Sequence, residues 1–587
     1  MHVVATAGHV DHGKSTLVHA LTGMEPDRLA EERARGLSIQ LGYAWAEIGG
    51  DQVAFVDVPG HERFVSTMLA GIGPVPAALL VVAADDPWMP QAAEHLAALD
   101  ALGVAHGVVA VTRADLADPA ASVARARAEV DRTSLAGAPV VPVSARTGQG
   151  LDELRHHLAA LVAGLPRPDP GGDVRLWVDR RFSITGAGTV VTGTLPAGTV
   201  RRGDTLELWA GGPPTTVRVR GVQALGAGVD AATGVARVAL NLTGDGLDRI
   251  DRDSVLVTPG AFHPATSVDV RVAGEGRMPE RPVLHVGAAS FAVRARPLAG
   301  DEGDLVRIAL PRAVPFRVGD RALLRDPGSR RVWGVRVLDP EPPGLGRRGA
   351  AAARARVLAD VRPEPDLAGE LDRRGLVAAA LLHRLGVPTG PLPDGALEAD
   401  GTLVSAARAA ALARQVVELV RRHDADQPLD RGVPVTAVAD RLGVPAAVVA
   451  AVAPRVAGGR VVLGEATPAL PPDLERALEA LAADLADQPF AAPPADRLAD
   501  LGLDARRTAA AAKAGRLLRL APAVVLLPGA DARAVELLRS LPQPFTTSEA
   551  RQALGTSRRV VLPLLEHLDR TGRTRRLPDD RRQVVER

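Results

Sequence analysis

Ala7-Gly8-His9-Val10-Asp11-His12-Gly13-Lys14-Ser15-Thr16 satisfies G-x-x-x-x-G-K-[ST], the loop whose backbone N–H groups wrap the phosphates of a nucleoside triphosphate. Lys14 would reach the β- and γ-phosphates, and the Ser15 hydroxyl would ligate Mg²⁺. Gly8 and Gly13 let the backbone approach where a Cβ would collide, and Asp11, His12 and Thr16 complete the binding stretch. Further on comes Asp57-Val58-Pro59-Gly60-His61. Asp57, at the mouth of an apolar run, suits indirect Mg²⁺ coordination. Gly60 can offer its N–H to the γ-phosphate, and His61 stands where a catalytic, water-positioning side chain is needed. Between these motifs lies Arg35-Gly36-Leu37-Ser38-Ile39, in which Ser38 is a third metal candidate. A hydroxyl on a mobile segment there closes over Mg²⁺ and senses the third phosphate.

A second group addresses the base. Asp115, in Thr112-Arg113-Ala114-Asp115, can accept from the N1–H and N2–H₂ edge of guanine, which adenine lacks. The stem of Arg113 can lie along the base face. Ser144-Ala145-Arg146 follows another apolar run, and the Ala145 N–H can meet guanine O6. Positioning these groups requires alternating strands and helices. His2 to Thr6, Val53 to Val58, Gly107 to Val111 and Val140 to Val143 read as buried strands, and Lys14 to Leu21 as a helix stopped by Gly23. That alternation predicts a parallel sheet with helices on both faces over 1–165.

The 587 residues should form several domains, with a net charge of +1 that says nothing about partners. Of 70 basic residues only Lys14 and Lys513 are lysine, so an arginine-rich segment is a weak sign of nucleic acid here. Without cysteine there is no disulfide, no thiolate nucleophile and no Cys-bound metal. No signal-peptide layout and no membrane-length apolar run is present, so a soluble cytoplasmic protein without membrane attachment is expected.

Gly-His-Val-Asp-His-Gly-Lys, Asp-Val-Pro-Gly-His-Glu and Ser-Ala-Arg together resemble the translational GTPases related to elongation factor Tu. The resemblance implies GTP/GDP and Mg²⁺ as cofactors. One motif departs: the family's Asn-Lys-x-Asp is Thr112-Arg113-Ala114-Asp115. Thr112 has no amide to bridge to the phosphate loop, which places the expected cost on GTP affinity rather than on base identity.

After the linker Pro166 to Gly172 the hydrophobic period becomes two, with glycine-marked turns from Phe182 to Gly193 and a weaker break near Pro259-Gly260. Two small β-barrels are predicted, 173–260 and 261–340. Asp27-Arg28-Leu29 with Glu31-Glu32, Leu41-Gly42-Tyr43-Ala44, Met68-Leu69-Ala70-Gly71 and Asp179-Arg180-x-Phe182 are similar to the selenocysteine-specific elongation factors within that superfamily. That resemblance implies selenocysteinyl-tRNA as cargo and the ribosome as partner. A selenol is largely anionic near neutral pH, so a desolvated guanidinium pocket would favour it over serine. Arg180 and Arg237 match basic pocket positions of the family, and Arg181 is adjacent.

Beyond the linker Asp339 to Gly346 the pattern turns helical. Leu-Gly turns at Leu385-Gly386, Leu442-Gly443, Leu501-Gly502 and Leu554-Gly555 recur at intervals of 57, 59 and 53 residues. With the strand-like pieces that follow several of them, they predict four tandem winged helices at 348–405, 406–466, 467–530 and 531–587. In the last, a second helix from Ser557-Arg558-Arg559 to Arg570 and a wing carrying Arg573, Arg575 and Arg576 give the charge footprint of phosphate-backbone binding; Arg551 lies nearby. With few aromatics, shape and phosphate readout are expected. The resemblance implies an mRNA hairpin near a UGA codon as the ligand.

The chain thus reads as multidomain: an α/β P-loop GTPase domain, two β-barrels, then tandem winged helices. The function read from it is a monomeric, GTP-hydrolysing elongation factor for selenocysteinyl-tRNA. A regulatory GTPase subunit of a metabolic enzyme such as sulfate adenylyltransferase, or a nucleic-acid-binding regulator with a signalling nucleotide domain, are the alternatives.

Overall fold

Val, Ala and Leu fill the strands His2–Ala7 (β1), Asp51–Asp57 (β3), Ala77–Ala83 (β4) and His106–Thr112 (β5), which are buried over most of their length. Such runs belong to a sheet covered on both faces. With Gly42–Ile48 (β2) and Val140–Pro142 (β6) they form one sheet in the order β2-β3-β1-β4-β5-β6. The computed structural model describes residues 1–587 except 27–37, 39, 62, 63, 74, 185, 187, 301, 302, 465–469 and 586–587. The motif pieces Asp27-Arg28-Leu29, Glu31-Glu32, Arg35-Gly36-Leu37 and Ile39 therefore lie outside the described residues, as does Glu62.

Pairing is parallel from β3 through β6. The expected parallel sheet is corrected at one edge, where β2 runs antiparallel to β3 with Gly42 opposite Asp57. Two residues, Gly49 and Gly50, join these strands, and both have positive φ. A loop so short allows only a hairpin. Among the described residues five helices flank the sheet: Lys14–Thr22 (α1), Val65–Ile72 (α2), Pro90–Ala101 (α3), Ala120–Val130 (α4) and Leu151–Gly164 (α5). Val3, Ala5 and Ala7 face a core shared with α2, α3 and α4, while Val4 faces one shared with α1 and α5. Side chains alternating along β1 thus fix helices to both faces.

Among the described residues, eight of the strands between Arg175 and Val257 build an antiparallel sheet around its own apolar core, and Thr199–Arg201 pairs separately with Ala231–Thr233. Those between His263 and Asp339 build a seven-stranded one. Alternating burial along Thr215–Ala224 is what a sheet with one solvated face requires. Arg321 donates to the carbonyls of Leu102 and Gly103, and Arg325 to Glu94 at 3.0 Å, so the third domain grips the end of α3.

The stretch read as a linker is tied into the fold at its first residue. Asp339 is 0% exposed and accepts from Arg354, Arg373 and Arg374; Arg354 also donates to fully buried Asp269 at 2.6 Å. These arginines lie on the helices Ala350–Leu358 and Leu367–Arg374.

The chain divides into two compact units, Met1–Leu392 and Pro393–Arg587. In the second, three Leu-Gly turns each join two helices: Val435–Leu442 to Ala446–Val452, Ala495–Asp500 to Ala505–Lys513, and Thr547–Ala553 to Arg558–Arg570. Each pair is followed by a hairpin, the last pairing Thr574–Arg576 with Arg582–Val584. Leu385-Gly386, at the end of Ala379–Arg384, differs: the next helix begins only at Ala406. Pro388, Pro391 and Pro393 crowd the intervening stretch and oppose a helix there. Among the described residues no single helix is long and apolar enough to cross a membrane.

Candidate functional site

The phosphate loop connects β1 to α1 and adopts the backbone that its glycines permit. Gly13 has φ +80°, Asp11 φ +62° and Gly8 φ +136°. A Cβ at Gly8 would sit 2.1 Å from the Val81 carbonyl oxygen, so no side chain fits. The Gly8 N–H donates instead to His95 Nδ1 at 2.9 Å. Lys14 is almost fully buried, and its Nζ donates to the carbonyls of His9 at 2.8 Å and Gly8 at 3.2 Å. The ammonium therefore lies inside the loop whose N–H groups would hold phosphate.

Three side chains expected around a metal converge beside it. Ser15 Oγ donates to Asp57 Oδ2 at 2.6 Å and lies 3.2 Å from Ser38 Oγ. Thr6 Oγ1 holds the other carboxylate oxygen at 2.7 Å and accepts from the Val58 N–H. Asp57 is 0% exposed, and burial raises its pKa against the pull of Lys14, Ser15 and Thr6. One carboxylate and two hydroxyls, all hard oxygens, fit Mg²⁺ completed by phosphate and water. Among the described residues no cluster of three His, Cys, Asp or Glu offers a denser cage.

A cavity of about 680 Å³ opens over these groups. Asp11, Gly13, Lys14, Ser15, Thr16, Ser38, Gly60, Arg113, Asp115, Ser144 and Ala145 all line it. Gly8, His12, Asp57 and His61 do not. His12 is 1% exposed behind the loop, its ring edge-on to His9 and its pKa lowered to about 4, chiefly by burial. Gly60 presses on the loop: a Cβ there would meet Lys14 Nζ and the Val10 nitrogen at 2.4 Å. His61 follows it with its ring 6.0 Å from that of Phe64.

At the base end, Asp115 is exposed and makes no hydrogen bond or ion pair with the described residues. Ser144 is buried and its Oγ accepts from the Thr147 N–H, which shapes the turn presenting Ala145. Thr112 corrects the sequence expectation. Its hydroxyl donates to the His12 carbonyl at 2.7 Å, so a bridge to the phosphate loop exists without an amide. Sequence reasoning missed His95, Thr6 and Gln91, the last of which accepts from the Val10 N–H at 3.4 Å. His95 is 2% exposed and burial lowers its pKa to about 3, so the neutral ring accepts from Gly8.

A second, smaller cavity of about 220 Å³ is lined by Tyr43, Trp45, Arg180, Phe182, Leu225 and Arg237, among others. Arg237 is paired through two hydrogen bonds with buried Asp179, and its guanidinium lies 4.0 Å from the Tyr43 ring centroid. Arg180 donates to the Leu41 carbonyl and lies 5.1 Å from the same centroid. Arg181 does not join them; it is exposed and reaches the Asp248 carbonyl at 3.3 Å.

In the last helix pair and the hairpin after it, Arg558, Arg570 and Arg575 are exposed, Arg551 is half-buried, and none of the four side chains bonds to another described residue. Arg559 instead donates to the carbonyls of Ala492 and Pro493 at 2.6 and 2.7 Å. Arg573 pairs with Asp531 at 3.0 Å and Arg576 with Asp580 at 2.9 Å.

Residues 1–164 match the family described as elongation factor Tu GTP binding domain, and residues 536–583 the one described as elongation factor SelB, winged helix. The selenocysteine-specific elongation factor of Escherichia coli (strain K12) is 37% identical over 431 residues, covering 71% of this chain and 69% of that protein. That of Desulfomicrobium baculatum is 36% identical over 411 residues, covering 65% of this chain and 62% of that one. The aligned part thus spans under two thirds of the latter relative. A crystal structure of a bacterial selenocysteine-specific elongation factor, EF-Sec, is similar over the full length of both chains, with a TM-score of 0.75 at 24% identity.

Proposed function

That this chain belongs to the family of selenocysteine-specific elongation factors is the premise from which we propose its role: a GTP-hydrolysing factor carrying selenocysteinyl-tRNA to the ribosome. Its C-terminal winged helix would grip an mRNA hairpin beside the UGA codon. It would act as a monomer in the cytoplasm.

The observation that carries this reading is the convergence of Ser15, Asp57 and Ser38, in a chain that also ends in the family's winged helix. Ser15 and Ser38 would ligate Mg²⁺ directly and Asp57 through water; when bound, the ion neutralises charge on the β- and γ-phosphate oxygens. Lys14 leaves the His9 and Gly8 carbonyls to meet the same oxygens. Asp115 takes the N1–H and N2–H₂ edge of guanine, and the Ala145 N–H meets O6. Ser38 and the loop after Gly60 hold to the third phosphate and relax when it leaves. His61 then needs only to swing toward the cavity to orient the attacking water, which the ribosome would bring about.

Cargo selection follows from charge. Asp179 already compensates Arg237, whereas among the described residues Arg180 meets a neutral carbonyl and a ring face. Arg180 therefore carries the positive charge that a selenolate would satisfy and a serine hydroxyl would leave unmatched. A filter-binding titration with selenocysteinyl- and seryl-tRNA, each with GTP or GDP, tests the reading. Preference for the selenocysteinyl form only with GTP is expected. Equal retention of both, or indifference to the nucleotide, would refute it.

A further inference from the structure

Where the translational GTPases carry an amide and a lysine, this chain carries Thr112 and Arg113, and the structure shows what each does instead. Thr112 Oγ1 reaches the His12 carbonyl at 2.7 Å. Arg113 has φ +57°, a left-handed conformation that a branched or bulky side chain adopts only when held there. Its guanidinium is held on two sides: one nitrogen donates to both Asp85 oxygens at 3.1 Å, the other to the Asp11 carbonyl. Asp11, itself at φ +62°, is the crest of the phosphate loop, and Asp85 lies just beyond the end of β4. Arg113, Asp11 and Asp115 all line the nucleotide cavity.

We propose that Asp85 is a positioning residue for guanine-nucleotide binding: it fixes the fork of Arg113 so that one side chain ties the base-recognition turn to the phosphate loop. This rests on reading the cavity as the GTP site. A lysine would carry its three donors on one shorter-reaching atom, whereas the planar fork of arginine presents separate nitrogens to Asp85 and to the Asp11 carbonyl, a geometry that lysine does not reproduce. The clasp joins the base-recognition turn to the phosphate loop through the Asp11 carbonyl and itself holds no phosphate oxygen. GTP and GDP should feel it alike. Side chains of Arg113 and Asp85 are about one-third exposed, so solvent moderates the effect.

The test is dissociation of fluorescent mant-GDP and mant-GTP from the full chain, followed by stopped flow. Asp85→Ala should speed release of both nucleotides about five- to tenfold. Arg113→Lys should do the same, and the double variant should be no faster than either single one, because each removes the same clasp. Thermal midpoints of the nucleotide-free proteins separate this from a scaffold defect, which would lower the midpoint and add to the effect of Arg113→Lys. Release within twofold of the wild type, additive effects, or a change confined to GTP would overturn the assignment. A wild-type chain that binds neither nucleotide would overturn the reading of the cavity, and this inference with it.

Discussion

Ser15 Oγ and Ser38 Oγ stand 3.2 Å apart although twenty-three positions separate them, and Asp57 holds the first of the two at 2.6 Å. The hydroxyl that opens α1 and the hydroxyl ahead of β2 thus share one carboxylate's surroundings. Ser38→Ala should weaken a non-hydrolysable GTP analogue by about 1 kcal/mol, near fivefold, and leave GDP unchanged. Calorimetric titration with each nucleotide checks this; an equal loss for both would mean that Ser38 does not respond to the third phosphate.

His61 lies outside the cavity wall while Gly60 lies in it. A side chain so placed contributes to chemistry only after a local turn, and little to binding. His61→Ala should therefore leave GTP affinity within about twofold and lower ribosome-stimulated hydrolysis by about 10²–10⁴-fold. Single-turnover hydrolysis with and without ribosomes measures both; unchanged stimulated turnover would remove His61 from the mechanism.

The chemistry of the phosphate loop was legible because its determinants are local: Gly8, Gly13, Lys14 and Ser15 are set by a strand, a turn and a helix in register. His95 was not, since a lone histidine on an apolar helix face carries no sign of the Gly8 N–H that β-sheet and helix packing bring to it. Thr112 misled for a different reason. Counting functional groups says that a hydroxyl cannot replace an amide, but distance decides, and the short side chain reaches the His12 carbonyl. Composition likewise read Asp339 as the start of a linker, because its partners Arg354, Arg373 and Arg374 follow fifteen or more residues later. The antiparallel β2 was readable in principle from Gly49-Gly50, a two-residue turn between apolar runs.

Those buried ion pairs predict a large, asymmetric effect. Burial opposes ionisation of Asp339, but Arg373, Arg374 and Arg354 outweigh it and hold its pKa below the ordinary carboxylate value. Asp339→Ala removes one carboxylate from each of Arg354, Arg373 and Arg374, which keep only Asp269 or Glu370, and should cost about 3 kcal/mol. Urea unfolding followed by circular dichroism measures it; a loss under about 1 kcal/mol would show that water already screens the cluster.

Acid should destabilise the first unit through histidine as well as carboxylate. Burial lowers His95 to about 3, and His12 and His285 to about 4. Each folded-state value lies below the ordinary 6.5, so the unfolded chain binds more protons. Their stabilisation is complete above about pH 6.5 and is lost as pH falls toward 4, at about 1.4 kcal/mol per pH unit per histidine once the unfolded form is protonated. His95→Asn should flatten that slope by roughly one proton's worth. Thermal midpoints from pH 7.5 to 4.5 test it, and parallel curves for the two proteins would contradict the assignment.

Arginines of the terminal helix pair and its hairpin should divide into two classes. Arg558, Arg570 and Arg575 are exposed and bonded to no other described side chain or carbonyl, whereas Arg559 closes on the carbonyls of Ala492 and Pro493. If the first three neutralise RNA phosphates, replacing any one by Ala lowers hairpin affinity with little effect on stability. It also reduces the slope of log K against log salt by close to one ion. Arg559→Ala should instead remove the donor to three carbonyls, Ala492, Pro493 and Ala523, lowering the thermal midpoint while leaving the salt slope of the folded protein near that of the wild type. Fluorescence anisotropy with a labelled hairpin across 50–300 mM KCl, roughly the range where such slopes are measured, gives both numbers. A salt slope that falls for Arg559→Ala and not for Arg558→Ala would reverse the two classes and move the RNA surface to the other side of the helix.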